Sequence, residues 1–270
     1  SGAYTSGSGS TVKVESENNI ASTLTVASGF INNGTLELTT ISGAGGSALT
    51  WSSGTLTNAA GTSILFSSGT GGTRTLTGPL SNSGTLTVNA GSTLAGSGAD
   101  HVNTGTGVID LVAGNLTITQ TGITPSFTDS GTITVPTGRT LIVTGGEFVH
   151  ASPGLTGAGT FSISSVTLTQ SVDYVTGTLP IAITNSTVNG PGTFRNSTGV
   201  TTVLLNLCIV NSAIVNDGTL RVQRSGTWSG AYTSGSGSTV KVESESSIAS
   251  TLTLASAFIN NGTLELTTIS

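Results

Sequence analysis

Methionine is absent from the 270 residues, cysteine occurs once, and charged side chains make up only 7% of the chain. Each shortage excludes something. An ordinary soluble domain carries about 25% Asp, Glu, Lys and Arg. The strong helix formers Glu, Lys, Gln, Arg and Met are scarce, which excludes a helical protein. Seven basic residues against twelve acidic ones cannot build a phosphate-tracking surface, so nucleic acid is excluded as a partner. A lone cysteine has no partner within the chain, so there is no disulfide scaffold. No run of about 18 or more apolar residues occurs, which predicts no membrane insertion in this segment. No signal peptide is recognisable, and the missing start residue fits a processed chain or a window on something longer.

What fills the space is small and polar. Ser and Thr together number about 90, with 39 glycines beside them. The 35% of hydrophobic residues are spread evenly, enough to bury a core. Residues 1–42 and 229–270 are nearly one sequence. They differ only at Asn18/Ser246, Asn19/Ser247, Val26/Leu254 and Gly29/Ala257, at an offset of 228 residues, from position 1 to position 229. The chain therefore reads as one complete repeat unit, 1–228, followed without a linker by the start of the next, 229–270. Two similar ends bracketing one domain is the plainer alternative.

A shorter period runs inside the unit. A small polar residue, Gly and Thr precede an apolar–any–apolar triplet, as at Gly34 and Leu36, Gly84 and Leu86, Gly131 and Ile133, Gly218 and Leu220, and Gly262 and Leu264. Residues 83–94 match residues 130–141 at an offset of 47, two turns of about 23 or 24. Periods of about 20 to 50 residues indicate a solenoid. Apolar and polar residues alternate strictly in the short runs, as in Leu86-Thr87-Val88, which predicts strands with one buried face. Val, Ile, Leu and Thr suit a pleated surface. The Gly, Ser, Asn and Asp clusters between them supply turns and positive φ. A sandwich or barrel has no reason to repeat one motif so often. The predicted fold is all-β, a single-stranded parallel β-helix of roughly ten coils of about 22–24 residues per unit, rising about 4.8 Å per coil.

The stretch from Asn82 to Gly98, NSGTLTVNAGSTLAGSG, resembles the repeats of bacterial β-helical surface proteins, of the autotransporter-passenger and filamentous-haemagglutinin type. The resemblance lies in repeat grammar and covers most of the chain. It implies secretion, an extracellular location on a bacterial surface, and an adhesive or fibre-forming role within a long tandem-repeat protein.

β-Helices also host polysaccharide-cleaving enzymes, so the acids and histidines matter. Asp100 and His101 are adjacent and Glu147 and His150 three apart, which puts each pair on opposite faces of a strand. Acid–base chemistry needs convergence, so no catalytic residue is assigned, neither these nor Asp110, and isolated polar residues on turns or a solvated face are expected. Gly96, Gly98 and Asp100 form half of a calcium-roll motif, present once where such rolls repeat it. Glu15, Glu17 and Glu37, echoed at Glu243, Glu245 and Glu265, are the densest acids. Asp100, Glu15 and Glu17 are thus weak calcium candidates, a solvated face being the plainer reading, and no cofactor is expected. Thr-x-Thr triplets such as Thr75–Thr77 and Thr117–Thr119 raise ice binding, but Glu37, Arg221 and Glu265 are expected to interrupt the rank. Asn33, Asn115, Asn185, Asn196 and Asn261 head glycosylation-type triplets. Tyr4, Trp51, Tyr174, Trp228 and Tyr232 are candidate exposed aromatics, with core packing the alternative, and Cys208 is expected to be buried. The expected partners are neighbouring repeat units or identical fibres, with surface glycans or other cells beyond them. The functional expectation is a structural fibre repeat, not an enzyme. A subunit polymerising head to tail is the alternative, and a carbohydrate-active β-helix or an ice-binding solenoid stands behind both.

Overall fold

A computed structural model describes residues 4–245 and 247–269. Ser1, Gly2 and Ala3 of the repeated opening, and Ser246 and Ser270 of its second copy, lie outside the described residues. Among the described residues the chain forms 35 strands and no helix. The paired strands run parallel, and each pairs with the strand three places later in the chain. Three strands therefore make a coil, and each coil lies on the one before it. The second of the three faces carries all twelve coils, from Ser22–Val26 to Thr263–Ile269. The third face holds eleven strands, from Ile31–Asn32 to Thr251–Leu254. The first face is broken into a seven-stranded and a five-stranded sheet, parting between Gly154–Gly157 and Tyr174–Val175. The expected parallel β-helix is the architecture, with about twelve turns among the described residues.

Strict alternation places every second side chain inside, where it meets the residue one coil away. On the second face this builds an unbroken aliphatic ladder: Leu24, Leu49, Leu76, Leu94, Ile118, Val143, Ile163, Ile183, Leu204, Val222, Val242 and Leu266. The motif residues Leu36, Leu86 and Ile133 share one ladder on the first face with Ile64 and Ile109. On the third face rings stack, Phe127 on Phe148 at 5.4 Å. Parallel strands need no hairpin turns, which is why the Asn-Gly pairs open strands instead of closing hairpins.

The two copies of the repeated segment do not occupy the same faces. Thr11–Ser16 is the first strand and lies on the first face, whereas its equivalent Thr239–Glu245 is the thirty-second and lies on the second. Ser22–Val26 is on the second face and Thr251–Leu254 on the third; Thr35–Thr40 is on the first and Thr263–Ile269 on the second. The equivalent strand is thus always thirty-one strands on, or ten and a third coils at three strands per coil. The expected ten coils per unit are right to within that third.

A ladder core makes a plain demand on single side chains. Ile118→Ala, in the middle of the second-face ladder, should lower the unfolding free energy by about 2–5 kcal/mol. Thr117→Ala beside it, pointing outward, should stay within about 0.5 kcal/mol. Urea denaturation followed by circular dichroism measures both.

Candidate functional site

The most ordered polar arrangement in the molecule is internal. Asn32, Asn58, Asn82, Asn103 and Asp129 each end a strand of the third face and stack in register. Asn32 Nδ2 donates to Asn58 Oδ1 at 2.9 Å, Asn58 Nδ2 to Asn82 Oδ1 at 2.8 Å, Asn82 Nδ2 to Asn103 Oδ1 at 2.9 Å, and Asn103 Nδ2 to Asp129 Oδ1 at 2.9 Å. The second hydrogen of each Nδ2 reaches a backbone carbonyl at the turn above, as from Asn82 to Val108 O at 3.1 Å. A buried primary amide is thereby satisfied on both sides. Asparagine suits the position because it both accepts and donates along the stack. Asp129 ends the run because a carboxylate only accepts, and His150 and Gln170 follow in the next two coils. A second column begins on the first face, where Asn196 Nδ2 donates to Asn216 Oδ1 at 2.9 Å. Asn216 Nδ2 turns aside to Tyr232 Oη at 3.2 Å, and Ser234 Oγ starts a new link to Asn260 Oδ1 at 3.0 Å.

Close approach to the coil beneath explains the motif glycines, and at Gly84, Gly131 and Gly218 that approach includes the column amide. Gly84 follows Asn82 by two residues, and a Cβ there would lie 2.5 Å from Ala59 O and 2.8 Å from Asn58 Nδ2. Gly131 and Gly218 crowd the rung beneath them in the same way. None of Gly34, Gly84, Gly131, Gly218 and Gly262 has a positive φ. The clusters between strands do supply positive φ, as at Gly61, Gly138 and Gly199; the motif glycines are required by close approach instead. The asparagines themselves were missed. The signal was present, since Asn or Asp stands two residues before the motif glycine at 32, 82, 129, 216 and 260.

The other candidates scatter. Asp100 and His101 do point to opposite sides, and so do Glu147 and His150. Their setting corrects the expectation of turns or a solvated face, because His101 and His150 are buried, at 1% and 2% exposure. His101 sits in the apolar third-face ladder next to Phe127, and burial pushes its pKa down to about 4. Burial brings His150 to about 4 as well. Asp129 is pushed up by burial, against the bonds from Asn103 and Gly131. All three groups are buried inside the stack of coils. Asp100 Oδ1 accepts from Ser126 Oγ at 2.8 Å, Glu15 pairs with Lys13, and Glu17 is exposed near Ile20. Asp100 lies on the third face three coils from Glu15, so the calcium candidates do not meet. No group of three or more His, Cys, Asp or Glu converges among the described residues. Glu243 departs from the solvated-face reading, being buried against Arg221 at 2.8 Å and Gln223 at 2.9 Å.

Trp51, Tyr174, Trp228 and Tyr232 are all buried, and of the five aromatic candidates Tyr4 alone is exposed. Asn196 is buried in its column, which removes it as a glycan acceptor. Cys208 is buried, with its thiol directed to Ile183 O at 3.0 Å. The threonine rank needs a correction. Glu37 lies on the first face, away from it, and Arg221 and Glu265 stand only at the far end of the second. From Ser22–Val26 to Thr201–Leu205 the outward positions of nine successive coils carry no charge. One rank reads Thr23, Ala48, Thr75, Thr93, Thr117, Ile142, Ser162, Ala182 and Val203. The parallel rank reads Thr25, Thr50, Thr77, Ala95, Thr119, Thr144, Ser164, Thr184 and Leu205.

Two outcomes follow from the interior. Asn82→Ala leaves Asn103 Oδ1 without its donor and Asn58 Nδ2 without its acceptor, and should cost about 1–3 kcal/mol in urea denaturation. Folded His101 stays neutral down to about pH 4, while in the unfolded chain it binds a proton near its ordinary 6.5. Acidification across that window therefore favours unfolding. His101→Phe, which extends the neighbouring ring stack, should lose less stability between those pH values than the parent chain does; an unchanged slope refutes this assignment.

No family model matches the chain, and no curated protein matches it. Among solved structures it is similar to the TibC-catalysed hyper-glycosylated TibA55-350 fragment, at 15% identity, over 94% of each chain, with a TM-score of 0.30. A score that low carries no weight for fold or function, and the architecture rests on the strand register itself.

Proposed function

We propose that this chain is a structural repeat of a secreted bacterial cell-surface fibre or adhesin, used for adhesion, sheath building or cell–cell contact. The observation that carries the reading is the repeat: residues 229–270 return the sequence of 1–42 inside one solenoid that runs on without a linker. Each coil touches only its neighbours, so such a rod lengthens by adding coils. Backbone hydrogen bonds along the axis and dry ladders supply cohesion. A sparsely charged exterior lets like rods approach with little repulsion. The partners in this reading are neighbouring units and identical fibres, with surface glycans as the target. The polar groups best placed for chemistry, His101, His150 and Asp129, are buried, which supports a non-catalytic role.

The mass of the denatured polypeptide from its source tests the reading. A mass several times 26.6 kDa, with further units encoded on both sides, is the expected result. A polypeptide near 26.6 kDa that forms filaments would favour the head-to-tail subunit instead.

A second reading is favoured by one observation, the nine uncharged coils of the second face. Parallel ranks of outward threonines, interspersed with small and apolar residues, offer hydroxyls and methyls at a regular spacing of about 4.8 Å, which favours a surface that orders water into ice. Thermal hysteresis in solutions of the chain is the expected result, lost on Thr117→Lys. Its absence from the parent chain removes this reading and leaves the first untouched.

A further inference from the structure

The coil that ends the described chain leaves its upper side open. Val242, Leu252, Leu254, Phe258, Leu264 and Leu266 line an apolar groove of about 270 Å³ there. The same sequence occurs at the other end with its upper side covered. Leu36 and Leu38 are 0% exposed beneath Ile64 and Phe66, whereas their equivalents Leu264 and Leu266 are 44% and 80% exposed. The reverse holds for the lower side, where Tyr4 is 47% exposed and Tyr232 1%. Each copy thus displays half of a complete environment, and together they specify the whole. The occupant of the groove is given by the repeat itself: a segment with the sequence of residues 43–66.

That segment must arrive turned. The second copy stands one face further round than the first, because its strands are thirty-one places on and thirty-one leaves a remainder of one at three per coil. The internal columns agree. The asparagine column of the first copy ends third-face strands, from Asn32 to Asp129, while the column leading into the second copy ends first-face strands at Asn196, Asn216 and Ser234. The charges agree too. Lys13 and Glu37 point outward on the first face, and their equivalents Lys241 and Glu265 on the second.

We propose that successive units dock on this open end in continuous register, each turned one face from the last, so that a feature of the surface recurs on the same side only every third unit. Any face that binds, including the uncharged threonine face, is then presented in three directions along a rod, one direction about every 50 Å at a rise of about 4.8 Å per coil. The proposal rests on the reading of the chain as one unit of a series. It differs from that reading in what it forbids: a fibre with one sticky side.

Two experiments separate them. In the present chain, Arg221→Cys with Lys241→Cys places two outward cysteines on paired positions of adjacent strands, within disulfide reach. Val215→Cys with Lys241→Cys is the pair that adjoins if the second copy keeps the face of the first. The native Cys208 is buried. Mild oxidation should cross-link the first pair and not the second; the opposite result overturns the turn. In a chain of three consecutive units, Thr70→Cys in each unit carries a thiol-reactive gold cluster, read by electron cryomicroscopy. Clusters a third of a turn apart are expected. Clusters in line along one side overturn the proposal while leaving the fibre reading standing. A source polypeptide near 26.6 kDa removes the fibre reading, and the proposal with it, whatever the cross-links show about this chain.

Discussion

Everything in this molecule depends on like standing on like. Parallel strands in register put every residue about 4.8 Å from its counterpart one coil away. Whatever a position holds must therefore tolerate its own kind as a neighbour, above and below. Leucine, isoleucine and valine do so inside, as the twelve rungs on the second face show. Threonine does so outside. Like charges are disfavoured there, and where Arg221 and Lys241 do stand on paired positions each is compensated by an acid, Glu243 bonded to Arg221 and Glu265 paired with Lys241. The thin charge of the composition follows from this constraint more directly than from any function.

The same constraint selects asparagine at the corner. Among polar side chains that fit a turn, the primary amide can take a hydrogen bond from the coil below and pass one to the coil above. Ser6 and Ser234 start such columns and Asp129 stops one. The glycine two residues on is the complement, because a Cβ there would strike the backbone of the coil beneath and, at Gly84, Gly131 and Gly218, the amide of the preceding rung as well. The small-polar–Gly–Thr motif is thus the visible edge of an internal column, and its role in the structure is to let that column pass.

Much of the fold was legible in the sequence. Period-two alternation in runs such as Leu86-Thr87-Val88 gave strands, and the recurrence of the motif gave the solenoid. What was not legible has one cause. The rungs Asn32, Asn58, Asn82, Asn103 and Asp129 lie 26, 24, 21 and 26 residues apart, so no fixed period tells which residues share a column. Without the columns, Glu37 could be set in rank with Arg221, and His101 and His150 could be placed in water. The third of a turn between the copies was hidden likewise, since a repeat of 228 residues reads as a whole number of coils when coils vary in length.

The column also has a direction. In each link from Asn32 to Asp129 the amide donates toward the later coil and accepts from the earlier one. The side-chain dipoles therefore align head to tail along the axis, with the positive end meeting the buried carboxyl of Asp129. The interior of this rod is electrically polarised, as a helix is, but by side chains and over a length set by how many asparagines stand in line. Reversing one amide would set two donors face to face, so a single flipped side chain is penalised at two rungs, and the column holds one orientation throughout.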